Sequence, residues 1–250
     1  MAIKNPYPLE EHRTFKRTFL QQTEVTLRFT PVINDVDFRN RMLPYLKTVF
    51  NLDLTGKVDA EANHAEINSD NEQKKFVFDL NQAKFIIGPS SYNTFKETAI
   101  PMVGMLVRFI ADVAEVEAID ELSVVKINIW PIKSEDAFSS FTNMIRYTFK
   151  ESCVSDMLSY KFDDNPTPVR LSKTSDTTIA ESVGLDAVLS AEVVSKEKVN
   201  LGLALNASAR NIGINDILSD AITLNDIIYR GFIESVSENI IDFMSREKLS

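Results

Sequence analysis

The strongest constraint on the fold is a pattern that occurs twice in the sequence, in residues 25–38 and again in residues 125–138. In both segments, alternating apolar residues lead through a proline to an acidic residue and a phenylalanine. At a spacing of 100 residues, the matching pairs are Val25 and Val125, Leu27 and Ile127, Phe29 and Ile129, Pro31 and Pro131, Val32 and Ile132, Asp35 and Glu135, and Phe38 and Phe138. Alternation indicates a strand with one buried face, and an acidic residue suits the first turn of a helix. The pattern predicts two similar halves, with chance similarity between two strand–helix units as the alternative.

The remaining residues of each half extend this pattern to a strand, a helix, several antiparallel strands and a long helix, which is an α+β fold. In the first half, the predicted segments are a strand at 24–32, a helix at 34–50, strands at 76–80 and 84–88, and a helix at 94–116. In the second half they are a strand at 122–132, a helix at 134–149, strands at 167–171, 185–194 and 198–207, and a helix at 223–246. Pro44 and Pro101 fall inside predicted helices and are expected to kink or break them.

These segments divide the chain into an N-terminal segment (1–20), a first α+β half (21–118) and a second α+β half (119–250). A meandering antiparallel sheet with one apolar face buries that face under its long helix. The two sheets can join edge to edge into one continuous sheet, or the halves can pack helix against helix. The sequence leaves both arrangements open.

Composition limits the classes of partner. The net charge of −9 disfavours binding to nucleic acid, which needs clustered basic residues. The longest apolar stretch, 99–116, is interrupted by Pro101 and by charged residues, so we expect no membrane partner. A single cysteine and the lack of a visible targeting segment predict a cytoplasmic protein.

The sequence contains few residues that carry recognisable chemistry. Its two histidines, His12 and His64, do not form a ligand pair, and a solvated loop is the favoured setting for His64. Cys153 has acidic neighbours, which favours a structural thiol over a nucleophile. None of the seven glycines forms a phosphate-binding loop. We therefore assign no catalytic residue, no metal ligand and no cofactor.

Four aromatic residues are candidates for a pocket or an interface. Phe76, Phe78 and Phe85 lie on the predicted aromatic-rich strands, and Trp130 is the single tryptophan and precedes Pro131 at a strand end. Ordinary packing at the edge of the core is the alternative for Trp130.

The order of elements resembles the repeat of the TATA-binding-protein-like and helix-grip folds. The segments Leu27-Arg28-Phe29-Thr30-Pro31 and Lys126-Ile127-Asn128-Ile129, with the amphipathic closing helix, also resemble a sporadically distributed bacterial family of uncharacterised proteins. The first resemblance implies a long helix lying across a curved antiparallel sheet. Neither resemblance implies an activity or a set of site residues.

Three functions remain open at this point. The favoured one is a non-catalytic bacterial binding or interaction protein whose partner is another protein or a second copy of itself. The first alternative is a small-molecule-binding protein with a cavity between the sheet and the long helix. The second alternative is an enzyme that uses carboxylates from separate parts of the chain, for which the sequence singles out no residue.

Overall fold

The computed structural model describes residues 3, 12–13, 15–50, 56–59, 63–68, 73–160 and 169–246. The first half contains β1 (Leu20–Arg28), α1 (Asp35–Phe50), β2 (Gly56–Asp59), β3 (His64–Asn68), β4 (Lys74–Asp79), β5 (Gln82–Ile87) and α2 (Ile100–Phe109). The second half contains β6 (Ala118–Lys133), α3 (Ala137–Thr148), α4 (Glu151–Leu158), β7 (Arg170–Ala180), β8 (Val183–Ser195), β9 (Lys198–Gly213), α5 (Ile217–Ser235) and α6 (Glu238–Ser245). The predicted α+β class is confirmed, and each half has the order strand, helical segment, antiparallel strands, helical segment.

The nine strands form one continuous antiparallel sheet in the order β2-β3-β4-β5-β1-β6-β9-β8-β7. The first strands of the two halves, β1 and β6, pair at the centre, with Val25 opposite Val124 and Leu27 opposite Leu122. The halves therefore join edge to edge, which is one of the two arrangements that the sequence left open.

The helices cover one face of the sheet, and the core lies between them and that face. The strand residues that contribute to the core include Val25, Leu27, Phe85, Ile87, Leu122, Val124, Leu189, Leu203 and Leu205. The side chains of the opposite face, which we call the open face, are mostly half-buried or exposed, and they include Glu24, Lys84, Val125, Ile127, Ile129, Asp186 and Asn206.

The orientation of β6 corrects the residue-by-residue match at a spacing of 100. Val25 and Leu27 face the helices, but Val125 and Ile127 lie on the open face, because Val124 and Leu122 are the partners of Val25 and Leu27. A shift of one residue turns every side chain of a strand to the other face. The order of elements repeats, whereas the match within the strand does not reflect equivalent positions.

Several predicted helix boundaries are also wrong. The helix expected from Ser134 begins at Ala137, because Asp136 is the cap and its Oδ1 accepts from the Phe138 N–H at 3.1 Å. The predicted helix 223–246 is two helices: α5 begins at Ile217, and α6 follows a break at residues 236–237. The break occurs where Val236 forms a bridge with Phe149 and the Ser237 side chain caps α6.

The two prolines have different outcomes. Pro44 lies inside α1, which continues to Phe50. Pro101 stands in the first turn of α2, directly after a π-helical turn (Phe95–Ala99) that begins with the predicted Thr94 cap. Proline is tolerated in a first helical turn because the N–H that it lacks has no partner there.

One predicted strand differs from the structure in its bounds, and one helix of the structure was not predicted. The predicted strand 167–171 shares only residues 170–171 with β7, which continues to Ala180, and Thr167 and Pro168 lie outside the described residues. The α4 helix was not predicted at all. Within the described ranges, we find no helix that is both long and apolar enough to cross a membrane.

Candidate ligand-binding cavity

A cavity of about 860 Å³ lies between the middle of the sheet and α5. Its floor is formed by Lys126 and Asn128 of β6 and Leu205 of β9, and one wall by the α5 residues from Ile222 to Phe232. The facing wall is the segment from Pro89 to Lys96. The cavity is thus placed where the two halves meet, and each half contributes to its lining.

A strap of N-terminal residues (12–13 and 15–19) closes a third side. His12 Nε2 lies 3.0 Å from Asp226 Oδ1, and the His12 ring stacks on Tyr229 with 4.1 Å between ring centres. The Arg13 N–H donates to Tyr229 Oη at 2.9 Å, and the Arg17 N–H donates to the Met244 carbonyl at 3.0 Å. The strap is therefore attached to both α5 and α6 beside the cavity.

The floor contains two polar residues where the fold would favour apolar ones. Along the helix-facing side of β6, Leu122, Val124 and Trp130 are buried, and Lys126 and Asn128 stand between them. Asn128 is only 8% exposed. Both residues lie on the side of β6 that faces the helices, and both line the cavity.

The Lys126 side chain extends into the cavity between two aromatic rings. Its Nζ lies 5.4 Å from the Tyr92 ring centre and 5.5 Å from the Phe95 ring centre. Burial lowers the pKa of Lys126 to about 8, and the Asp226 carboxylate opposes this shift. Within the described ranges Lys126 forms neither a salt bridge nor a hydrogen bond, so its ammonium group is available to a ligand.

A second buried polar group lies on the α5 wall. Asn225 is 5% exposed, and its Oδ1 has no hydrogen-bond partner among the described residues. A buried amide without a partner costs about 1–3 kcal/mol, so such groups are rare in packed cores. The unpaired Oδ1 of Asn225 thus belongs to the same cavity lining as Asn128 and Lys126.

Apolar side chains make up much of the remaining lining. They are Phe15, Leu20, Phe95, Leu205, Ile222, Ile228, Phe232 and Met244. The exposed residues His12, Arg13, Asn93, Thr94 and Lys96 form the rim. A few polar groups on a mainly apolar surface are typical of small-molecule sites.

The four aromatic residues proposed from the sequence lie beside the cavity or far from it, and none is among its lining residues. Phe76, Phe78 and Phe85 are buried in the core of the first half, where Phe50 contacts both Phe76 and Phe78. Trp130 is buried against Phe19, Phe149 and Phe232. Phe19 belongs to the strap and Phe232 to the cavity wall. Trp130 therefore packs against two of the elements that enclose the cavity.

The residues considered for other chemistry are dispersed. His64 begins β3 instead of lying in a loop, and its Nδ1 pairs with Asp79. Cys153 lies within α4, with its Sγ 3.8 Å from the Glu234 carbonyl oxygen. No group of three or more His, Cys, Asp or Glu residues in the described ranges is arranged to hold a metal ion.

Comparison with known proteins finds no matching family model and no matching curated protein. The cavity and its side chains are therefore the basis for a functional assignment.

Proposed function

We propose that this protein binds an organic small molecule in the cavity between the sheet and α5. The observation that carries this proposal is the unpaired amide of Asn225, buried in the wall of a cavity of about 860 Å³. Ligand sites commonly enclose about 300–1,000 Å³, whereas packed cores contain few voids larger than a water molecule.

Binding of a fluorescent apolar probe tests the proposal. We expect phenylnaphthylamine, which is neutral and fluoresces strongly in apolar surroundings, to bind at one site per chain. Ile222→Trp places a larger side chain in the cavity and should weaken binding about tenfold or more.

Leu218→Trp is the matched control, because Leu218 lies on the same helix but is 40% exposed. It should bind the probe as the unchanged protein does. Equal binding by the Ile222 and Leu218 variants, or no saturable binding by the unchanged protein, would contradict the proposal.

A second candidate function is self-association through β7, and it agrees with the interaction protein favoured by the sequence. β7 has 11 residues and no proline, it pairs with β8 on one side, and no strand of the described ranges pairs with its other side. Such an edge is a template for another strand.

A second copy of β7 fits this edge. When two copies pair antiparallel about a twofold axis through Ser175, Leu171 of each copy lies opposite Ile179 of the other. Both of these residues already pack against the core, and Lys173 lies opposite Thr177, so no like charges meet.

A further inference from the structure

The charged residues around the cavity are mostly basic, although the protein as a whole is acidic. Among the residues that the structure describes, the lining contains Arg13, Lys96 and Lys126 and a single acidic residue, Asp226. Over the whole chain, by contrast, 36 acidic residues outnumber 27 basic ones. A site lined by one sign of charge concentrates ligands of the opposite sign.

The single acidic residue does not reverse this balance. Asp226 pairs with His12 at 3.0 Å, on the side where the strap closes the cavity. The ammonium of Lys126 forms no salt bridge within the described ranges, and Asn128 and Asn225 line the same cavity. The cavity therefore offers one positive charge, and the N–H groups of the Asn128 amide on the floor and the Asn225 amide on the α5 wall are further potential donors.

This donor set matches a group with one negative charge. A lysine ammonium and amide N–H groups can donate together to the two oxygens of a carboxylate, and hydrogen bonds between ionised partners are the strongest of these. A phosphate dianion carries about two negative charges, whereas the floor supplies one ammonium group, which matches a single carboxylate. The remaining space is bounded by apolar side chains, which suit an apolar body.

We infer that the ligand is a carboxylic acid with an apolar body, bound as its anion with the carboxylate at Lys126. The apolar body then lies among Phe95, Ile228 and Phe232. This inference rests on the proposed function and adds the chemical class of the ligand.

Displacement of phenylnaphthylamine by three compounds with the same chain tests the inference. Decanoate carries a negative charge, decanol is neutral and decylamine is positive. We expect decanoate to displace the probe at a concentration at least tenfold lower than decanol does, and decylamine to be the weakest of the three.

Lys126→Met should remove the preference for decanoate over decanol without preventing the neutral probe from binding. Lys126→Arg should retain most of the preference for decanoate, because the positive charge remains. Lys84→Met is the matched control, since Lys84 lies on the open face of the same sheet. This control should leave the preference unchanged and exclude a general effect of net charge.

The pH dependence provides a second readout. The groups around Lys126 that carry charge or titrate are Asp226 and Tyr229 on α5, Tyr92 and Lys96 on the facing wall, and His12 and Arg13 on the strap. Decanoate stays ionised above neutral pH, so its affinity should fall as Lys126 loses its proton above a pH of about 8. Lys126→Arg should show no fall there, because arginine stays charged.

Different results would overturn the inference and the proposed function. If the probe binds but decanol or decylamine displaces it as well as decanoate does, the inference is wrong and the cavity still binds small molecules. The same conclusion follows if Lys126→Met leaves decanoate binding unchanged. If neither the probe nor decanoate binds, the proposed function itself is wrong.

Discussion

At the scale of single residues, burial of the Lys126 ammonium group lowers the stability of the folded protein. Its pKa is about 8 in the folded protein, against an ordinary value of 10.5. Between these two pH values the unfolded chain binds more protons than the folded one. The free energy of unfolding therefore rises with pH across this range, and the cost of burying the charge is fully present below a pH of about 8.

Lys126→Met should consequently stabilise the protein at neutral pH. The lowered pKa corresponds to about 3 kcal/mol in the free energy of unfolding, and this gain should disappear above a pH of about 10.5. Urea unfolding at a series of pH values measures it. Lys84→Met should change stability by less than about 0.5 kcal/mol. A Lys126→Met protein no more stable than the unchanged one at neutral pH would show that Lys126 is not held at a cost.

The sequence analysis did not identify Lys126, because its pattern placed Val125 and Ile127 on the apolar face of the strand. The alternation in β6 places Lys126 and Asn128 on the same side as Trp130, which the sequence analysis had singled out. Both sides of β6 contain apolar residues, so periodicity alone did not show which side faces the helices. That choice depends on pairing with β1, about 100 residues earlier in the chain. The cavity also requires α5 and the strap, which no local pattern associates with β6.

At the scale of elements, the sequence predicted the kinds of segment better than their ends. Most of the strands, α1 and the Thr94 cap follow local patterns of alternation, spacing and capping, whereas β2, β3 and most of β7 were not predicted. The break between α5 and α6 does not, because it depends on backbone contacts of residues 235–237 with residues 148–150. The long apolar stripe continues through the break and therefore predicted one helix.

β7 supports a prediction at this scale, namely that two copies pair about an axis at Ser175. In a Cys153→Ser background, Ser175→Cys would place two thiols next to each other on that axis, and mild oxidation should link the two chains. Light scattering should give twice the mass of one chain before oxidation.

Thr48→Cys in the same background is the control for this experiment, since Thr48 is exposed on α1, which belongs to the first half, whereas β7 is the edge strand of the second half. It should give no linked species. A single-chain mass at high protein concentration, or equal cross-linking of both variants, would exclude pairing through β7.

At the scale of the whole molecule, the pairing of β1 with β6 makes one sheet and one core from two similar halves. The buried apolar side chains of both halves belong to a single continuous cluster. Although the sequence divides naturally near residues 118 and 119, the structure contains no gap in packing there. We therefore expect the halves to unfold together.

Trp130 provides a probe for this expectation, because it is the single tryptophan and lies in the second half beside the junction. Its fluorescence should change at the same urea concentration as the far-ultraviolet circular dichroism, which reports on both halves. Two separated transitions would mean that the halves are independent folding units.

The contribution of both halves to the cavity has a consequence for how its selectivity can evolve or be redesigned. The second half supplies the floor and the α5 wall, the first half supplies the facing wall, and the N-terminal segment supplies the strap. If the proposed ligand is correct, changes at Lys126 alter the head group that is accepted, whereas changes between Pro89 and Lys96 alter one wall of the space for the apolar body. The charged floor and the facing wall are encoded in separate stretches of the gene, so recombination can exchange one while the other is inherited intact.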